Sequence, residues 1–118
     1  MSRRTDRVAE AIQELVARLL LREIKDPRIG LVTITGARVS PDLRHARVFF
    51  SSLGDDDSRA QTLRGLRSAA GFVRTQVARQ LNLRVAPEIA FEFDPSLEQA
   101  ERLAQLLKDD PPSSGNES

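Results

Sequence analysis

The sequence has no cysteine, tryptophan or tyrosine, and only one histidine and one methionine. Without cysteine there are no disulfides and no thiolate metal sites. That suits a reducing compartment, and a cytoplasmic location is expected. Long apolar runs are also missing. No stretch is long enough to span a membrane, and the opening MSRRTDRVAEAIQELV scatters charge through its apolar positions, unlike the apolar core of a signal peptide. Familiar catalytic motifs are missing as well. There is no P-loop, and Gly65 and Gly71 do not form a phosphate-cradling GxGxxG. His45, the lone histidine, has no GxSxG-type nucleophile turn to serve. Asp55, Asp56 and Asp57 have the chemistry to hold magnesium, but read more simply as a solvated loop with a helix cap. No catalytic residue, metal or cofactor is assigned, and an enzyme is not expected.

The 118 residues suffice for one domain and one core, and 40% hydrophobic with 30% charged residues is ordinary for a globular protein. The net charge of +1 hides a gradient. Residues 1–50 carry a net +4, residues 51–86 a net +3, and residues 87–118 a net −6. Residues 58–86 hold six arginines and no acid. Such a basic body suits a polyanion, although a merely solvated surface has the same composition. Sixteen arginines against two lysines fit bidentate phosphate contacts, or simple codon bias.

Val8, Ile12, Leu15, Val16, Leu19 and Ile24 recur at helical spacing and predict a helix over residues 5–24, capped by Ser2 or Thr5. Asp26-Pro27 ends it, and DPRIG (26–30) is a turn. LVTITGARV (31–39) and HARVFFSS (45–52) alternate as strands of an antiparallel hairpin, with Gly36 marking a bulge and SPDLR (40–44) the turn. Residues 58–81 form a long helix capped by Asp57 or Ser58, with a stripe of Leu63, Leu66, Ala70, Val73, Val77 and Leu81. EIAFEF (88–93) is a third strand, and residues 94–108 a short closing helix. The expected fold is α+β, with amphipathic helices covering one face of a three-stranded sheet. Residues 1–108 are expected to make one domain, and residues 109–118 a disordered tail.

The sharpest local feature lies inside the long helix. At about 100° per residue, Arg64, Arg67, Gly71 and Arg74 share a sector of roughly 80° beside the apolar stripe. Gly71 is a spot without a side chain among three guanidinium groups, where a phosphate can approach closely. Alternatively, Gly71 lets the helix sit close to the sheet. The phenylalanines do not interleave with basic residues as in an RRM, so backbone and shape recognition is favoured over base stacking.

Taken together, DPRIGLVTIT (26–35), VSPDLRHARVFFS (39–51), AAGFVRTQVARQL (69–81), LRVAPEIAFEFD (83–94) and SLEQAERLAQLL (96–107) resemble the bacterial ribosome-binding factor A family. The resemblance implies a type II KH-like fold, in which an interhelical kink of pattern Ala-x-Gly, here Ala69-Ala70-Gly71, replaces the usual GxxG loop. It implies a non-catalytic assembly factor that binds late 30S precursors near the neck and decoding region of 16S rRNA. It further implies support for maturation of the 16S rRNA ends and a link to growth in the cold. One departure is visible: Gln99 and Ala100 stand where the family often has an aromatic residue and a glycine. The candidate RNA-binding residues are Arg64, Arg67, Ala69, Ala70, Gly71 and Arg74, extended by Arg79 and Arg84 and by Arg3, Arg4 and Arg7 of the first helix. Arg28, Arg38, Arg44 and Arg47 are not ranked. The expected partners are the 30S subunit and its 16S rRNA, with no membrane and a monomeric state. The competing reading is a protein-interaction module that binds through its helices or an open sheet edge.

Overall fold

The computed structural model describes residues 3–109. The elements run α1 (Arg3–Arg22), β1 (Val32–Val39), β2 (His45–Ser52), α2 (Asp56–Gln80), β3 (Glu88–Phe93) and α3 (Ser96–Asp109). This is the expected α+β order with a three-stranded sheet. Of the expected tail, only Asp109 lies within the described residues, as the last residue of α3.

The sheet order is β1-β2-β3. β1 and β2 form the antiparallel hairpin read from their alternation, while β3 lies parallel to β2 after the crossover through α2. The bulge sits where Gly36 suggested: Ile34 pairs with Phe50 and Gly36 with Phe49, leaving Thr35 as the extra residue. Its hydroxyl donates to Asp94 Oδ2 at 2.7 Å.

One sheet face carries the core. Ile34, Ala46, Val48, Phe50 and Phe91 meet Ile12, Leu15, Val16 and Leu19 of α1 and Leu66, Val73 and Val77 of α2, all buried. Phe50 and Phe93 pack edge to face, with centroids 5.9 Å apart.

Three local expectations are corrected. Ser2 lies outside the described residues and Thr5 lies inside α1, so Thr5 is not its cap. The cap of α2 is Asp55, not Asp57 or Ser58; its carboxylate accepts the Ser58 amide at 2.9 Å. Asp56 and Asp57 follow in the first turn, where the helix dipole favours acid. Finally, α3 does not close over the sheet. Leu97, Leu103, Leu106 and Leu107 are between 53% and 65% exposed. The helix is tied to the domain by Glu98, whose Oε2 accepts from Arg59 Nη2 at 2.9 Å. The Arg59 guanidinium also lies 3.8 Å over the Phe93 ring.

Candidate nucleic-acid interface

α2 positions the central candidates. It runs as one continuous α-helix through Ala69-Ala70-Gly71, so its backbone ladder is not interrupted at the expected kink. Buried Leu66 and Val73 anchor the helix on both sides, and alanines at 69 and 70 propagate it, which holds Gly71 in line. The Thr75 hydroxyl donates to the Gly71 carbonyl at 3.1 Å, a back-bond that bends helices without breaking their ladder.

The two glycines of α2 have opposite reasons. Gly65 is buried, and a Cβ there would lie 2.6 Å from Ile29 Cγ1 and 3.4 Å from Arg28 Cβ. It lets α2 pack on the turn at residues 26–30. That turn is further held by Arg28 Nη2 donating to Ser68 Oγ at 3.0 Å and to Asp26 Oδ2 at 2.7 Å. The Arg28 hydrogen bonds hold the Asp26 carboxyl down at about 2, below its ordinary 3.8. Gly71 is exposed, and a Cβ there would meet nothing within 4 Å. Close packing against the sheet therefore does not explain Gly71.

Gly71 instead borders a groove of about 500 Å³ between α2 and the first residues of β2 and β3, lined also by Ala70, Arg74, His45, Arg47 and Glu88. Arg74 Nε donates to the Ala86 carbonyl at 3.2 Å, which fixes its guanidinium along the groove wall. His45 Nδ1 and Glu88 Oε1 face each other at 3.5 Å on the opposite wall. Ala69 is half-buried and faces a smaller recess beside Phe72.

The arginines separate into engaged and available groups. Arg47 makes a bidentate pair with Glu92, at 2.8 and 2.7 Å, and lies 5.2 Å from the Phe49 ring. That pairing also lowers the Glu92 pKa. Arg28 and Arg59 are likewise held by carboxylates. Arg64, Arg67, Arg74 and Arg79 are exposed and make no ion pair among the described residues. Arg64, Arg67 and Arg74 share the Gly71 face as the spacing predicted, whereas Arg79 lies about 140° around the helix from Arg74.

The remaining candidates lie elsewhere. Arg84 sits in the loop after α2 and lines a separate cleft with Arg4 of α1. Arg3 and Arg7 are exposed at the same end of α1. Two residues were missed by sequence reasoning. Arg44, left unranked, joins Arg4 and Arg84 in that cleft. Phe72 is 41% exposed next to Gly71, an uncovered aromatic that its position just outside the apolar stripe signals.

Comparison with known proteins places the chain in a family. The family profile described as Ribosome-binding factor A matches residues 4–107. The chain is 51% identical to the Ribosome-binding factor A of Geobacter metallireducens over 109 residues, covering 92% of each chain. It is similar to the solution structure of a Thermotoga maritima protein considered a ribosome binding factor A, with a TM-score of 0.70, 37% identity, and 78% of this chain and 88% of that chain covered. It is also similar to a homology model of Thermus thermophilus ribosome binding factor A fitted into the cryo-EM map of a 30S–RbfA complex. There the TM-score is 0.53 at 25% identity, with 72% of this chain and 93% of that chain covered. The chain belongs to the ribosome-binding factor A family.

Proposed function

We propose that this chain is a non-catalytic assembly factor that binds the small ribosomal subunit through the arginine face of α2. The observation that carries the reading is the pairing of Gly71, open to solvent, with Arg64, Arg67 and Arg74, which lack carboxylate partners among the described residues. Guanidinium groups grip phosphate oxygens bidentately. A bare helix turn beside them admits the backbone of a folded RNA without steric conflict. The Thermus relative fitted into a 30S complex supports the 30S subunit as the partner.

In this reading the factor holds a local 16S rRNA conformation in late 30S precursors and so supports maturation of the rRNA ends, including in the cold. It acts as a monomer in the cytoplasm and needs no cofactor. The groove at Gly71 does the work of a KH loop without a loop. Arg67→Ala with Arg74→Ala tests the site: the double variant keeps its fold and loses 30S affinity. A folded double variant that binds as the wild type does would overturn the assignment.

One observation favours a second reading. The leucines of α3 are exposed on an amphipathic helix that little else in the domain covers. A protein partner seated there would be recovered by pull-down after nuclease treatment, whereas an RNA-dependent association would be lost.

A further inference from the structure

The two non-glycine residues with positive φ among those described, Leu43 at 60° and Asn82 at 58°, line one cleft. Asn82 has an ordinary reason. It follows the end of α2 in a Schellman motif, with the Asn82 amide donating to Arg79 O and the Leu83 amide to Ala78 O. Leu43 stands at the left-handed position that follows the turn of the β1–β2 hairpin. Its amide closes a β-turn on the Ser40 carbonyl at 2.9 Å, and the next step of the chain is left-handed, at a position where glycine or asparagine is the usual residue. Leu43 is not part of the core cluster. A leucine held in this conformation is strained, and strain that persists points to function at the place where it is kept.

What the strained turn presents is Arg44. Arg44, Arg84 and Arg4 come from the β1–β2 turn, the α2–β3 loop and the start of α1, and all three line the same cleft of about 470 Å³. Arg44 and Arg84 make no ion pair among the described residues. The one acid lining the cleft, Asp42, turns one oxygen to the turn, its Oδ1 accepting from Ser40 Oγ at 2.7 Å and from the Arg44 amide at 3.0 Å. Arg44 and Arg84 thus outnumber the one carboxylate of the cleft, and the excess positive charge suits an anion.

The cleft is separate from the groove at Gly71 but adjoins it along the chain. Arg44 precedes His45 of the groove wall, and the Glu88 amide donates to the Arg44 carbonyl at 2.8 Å. On the other side, Val85 of the cleft precedes Ala86, whose carbonyl holds Arg74. We infer that the cleft lined by Arg44 and Arg84 is a second phosphate site, which holds a backbone phosphodiester of the same RNA that passes Gly71. The inference rests on the proposed RNA partner. It adds a discrete site, and Arg44 as a member of it.

The test uses the full chain. Amide resonances of residues 43–44 and 82–85 are followed by NMR during titration with a single-stranded oligoribonucleotide and, separately, with inorganic phosphate. In parallel, Arg44→Gln and Arg84→Gln are compared with the wild type in 30S binding over a range of salt. The oligoribonucleotide is expected to shift the cleft amides. Each variant is expected to lose about tenfold in affinity and to reduce the log–log salt slope by about 1, the mark of one phosphate contact removed. Normal wild-type binding with unchanged affinity and slope in both variants overturns the cleft while leaving the proposed function standing. Shifts with inorganic phosphate alone, with both variants binding 30S normally, overturn RNA as the source of the phosphate. Failure of the wild type to bind 30S refutes the proposed function itself. The cleft is then upheld only if the oligoribonucleotide shifts its amides and Arg44→Gln abolishes those shifts.

Discussion

Alanine at Gly71 and alanine at Gly65 are the same chemical change on the same helix, and the structure assigns them opposite signs. At Gly71 the new methyl meets nothing within 4 Å, and the backbone is already helical. Removing the glycine then recovers its helix-interior cost of about 1 kcal/mol, chiefly through the lower entropy of the unfolded chain. For a domain of this size that raises the melting temperature by about 4 °C. At Gly65 the methyl lies 2.6 Å from Ile29 Cγ1 and 3.3 Å from Ile29 Cδ1. Ile29 is β-branched and packed against the core, so it cannot swing clear. An overpacking cost of about 1–3 kcal/mol then outweighs the propensity gain, and the expected net is about 1 kcal/mol of destabilisation. Urea unfolding followed by far-UV circular dichroism reads both. Destabilisation by Gly71→Ala, or stabilisation by Gly65→Ala, would refute the reasoning. A second readout separates fold from function. If RNA backbone approaches the bare turn, Gly71→Ala binds 30S several-fold more weakly while folding more stably. A stabilised variant with unchanged 30S binding removes Gly71 from the interface.

Three further outcomes are expected. Because Arg28 lowers the Asp26 carboxyl to about 2, this group stabilises the fold fully above its unfolded value of 3.8, and the contribution is lost as pH falls from there through about 2; a side-chain NMR titration midpoint near 3.8 would contradict the pairing. Arg59→Met removes the tie to Glu98, so amide exchange in α3 accelerates several-fold while the core amides keep their protection, as suits a partly exposed ion pair; unchanged exchange in α3 would show that something else holds it. The Arg67→Ala, Arg74→Ala variant lowers the log–log salt slope of 30S binding by about 2, with its melting temperature within a few degrees of the wild type; an unchanged slope would mean that neither arginine meets phosphate.

The strands were legible because alternation is a local signal. Val32 and Ile34 against Thr33 and Thr35, and the set Ala46, Val48 and Phe50, separate into inner and outer faces as their period of two requires. The glycines were not legible, because the reason for Gly65 is Ile29, 36 residues earlier in the chain, and the reason for Gly71 is the absence of any neighbour. The arginine sector on α2 followed from helical spacing, but the separation of engaged from available arginines did not, since Arg47 depends on Glu92 of another strand. Arg44 was invisible for the same reason: only folding brings it beside Arg4 and Arg84. The α3 leucines show the opposite case. Their periodicity is real, but periodicity states that a face is apolar, not that anything within the domain covers it.

The central claim is that this chain reaches the small subunit through phosphate contacts made by the α2 face. Co-sedimentation with free 30S particles and with 70S ribosomes, at low and moderate salt, tests it most directly. The prediction is association with free 30S that falls steeply between the two salt concentrations, is weaker on 70S ribosomes, and is largely lost in the Arg67→Ala, Arg74→Ala variant. Association that is insensitive to salt and unchanged in that variant would contradict it.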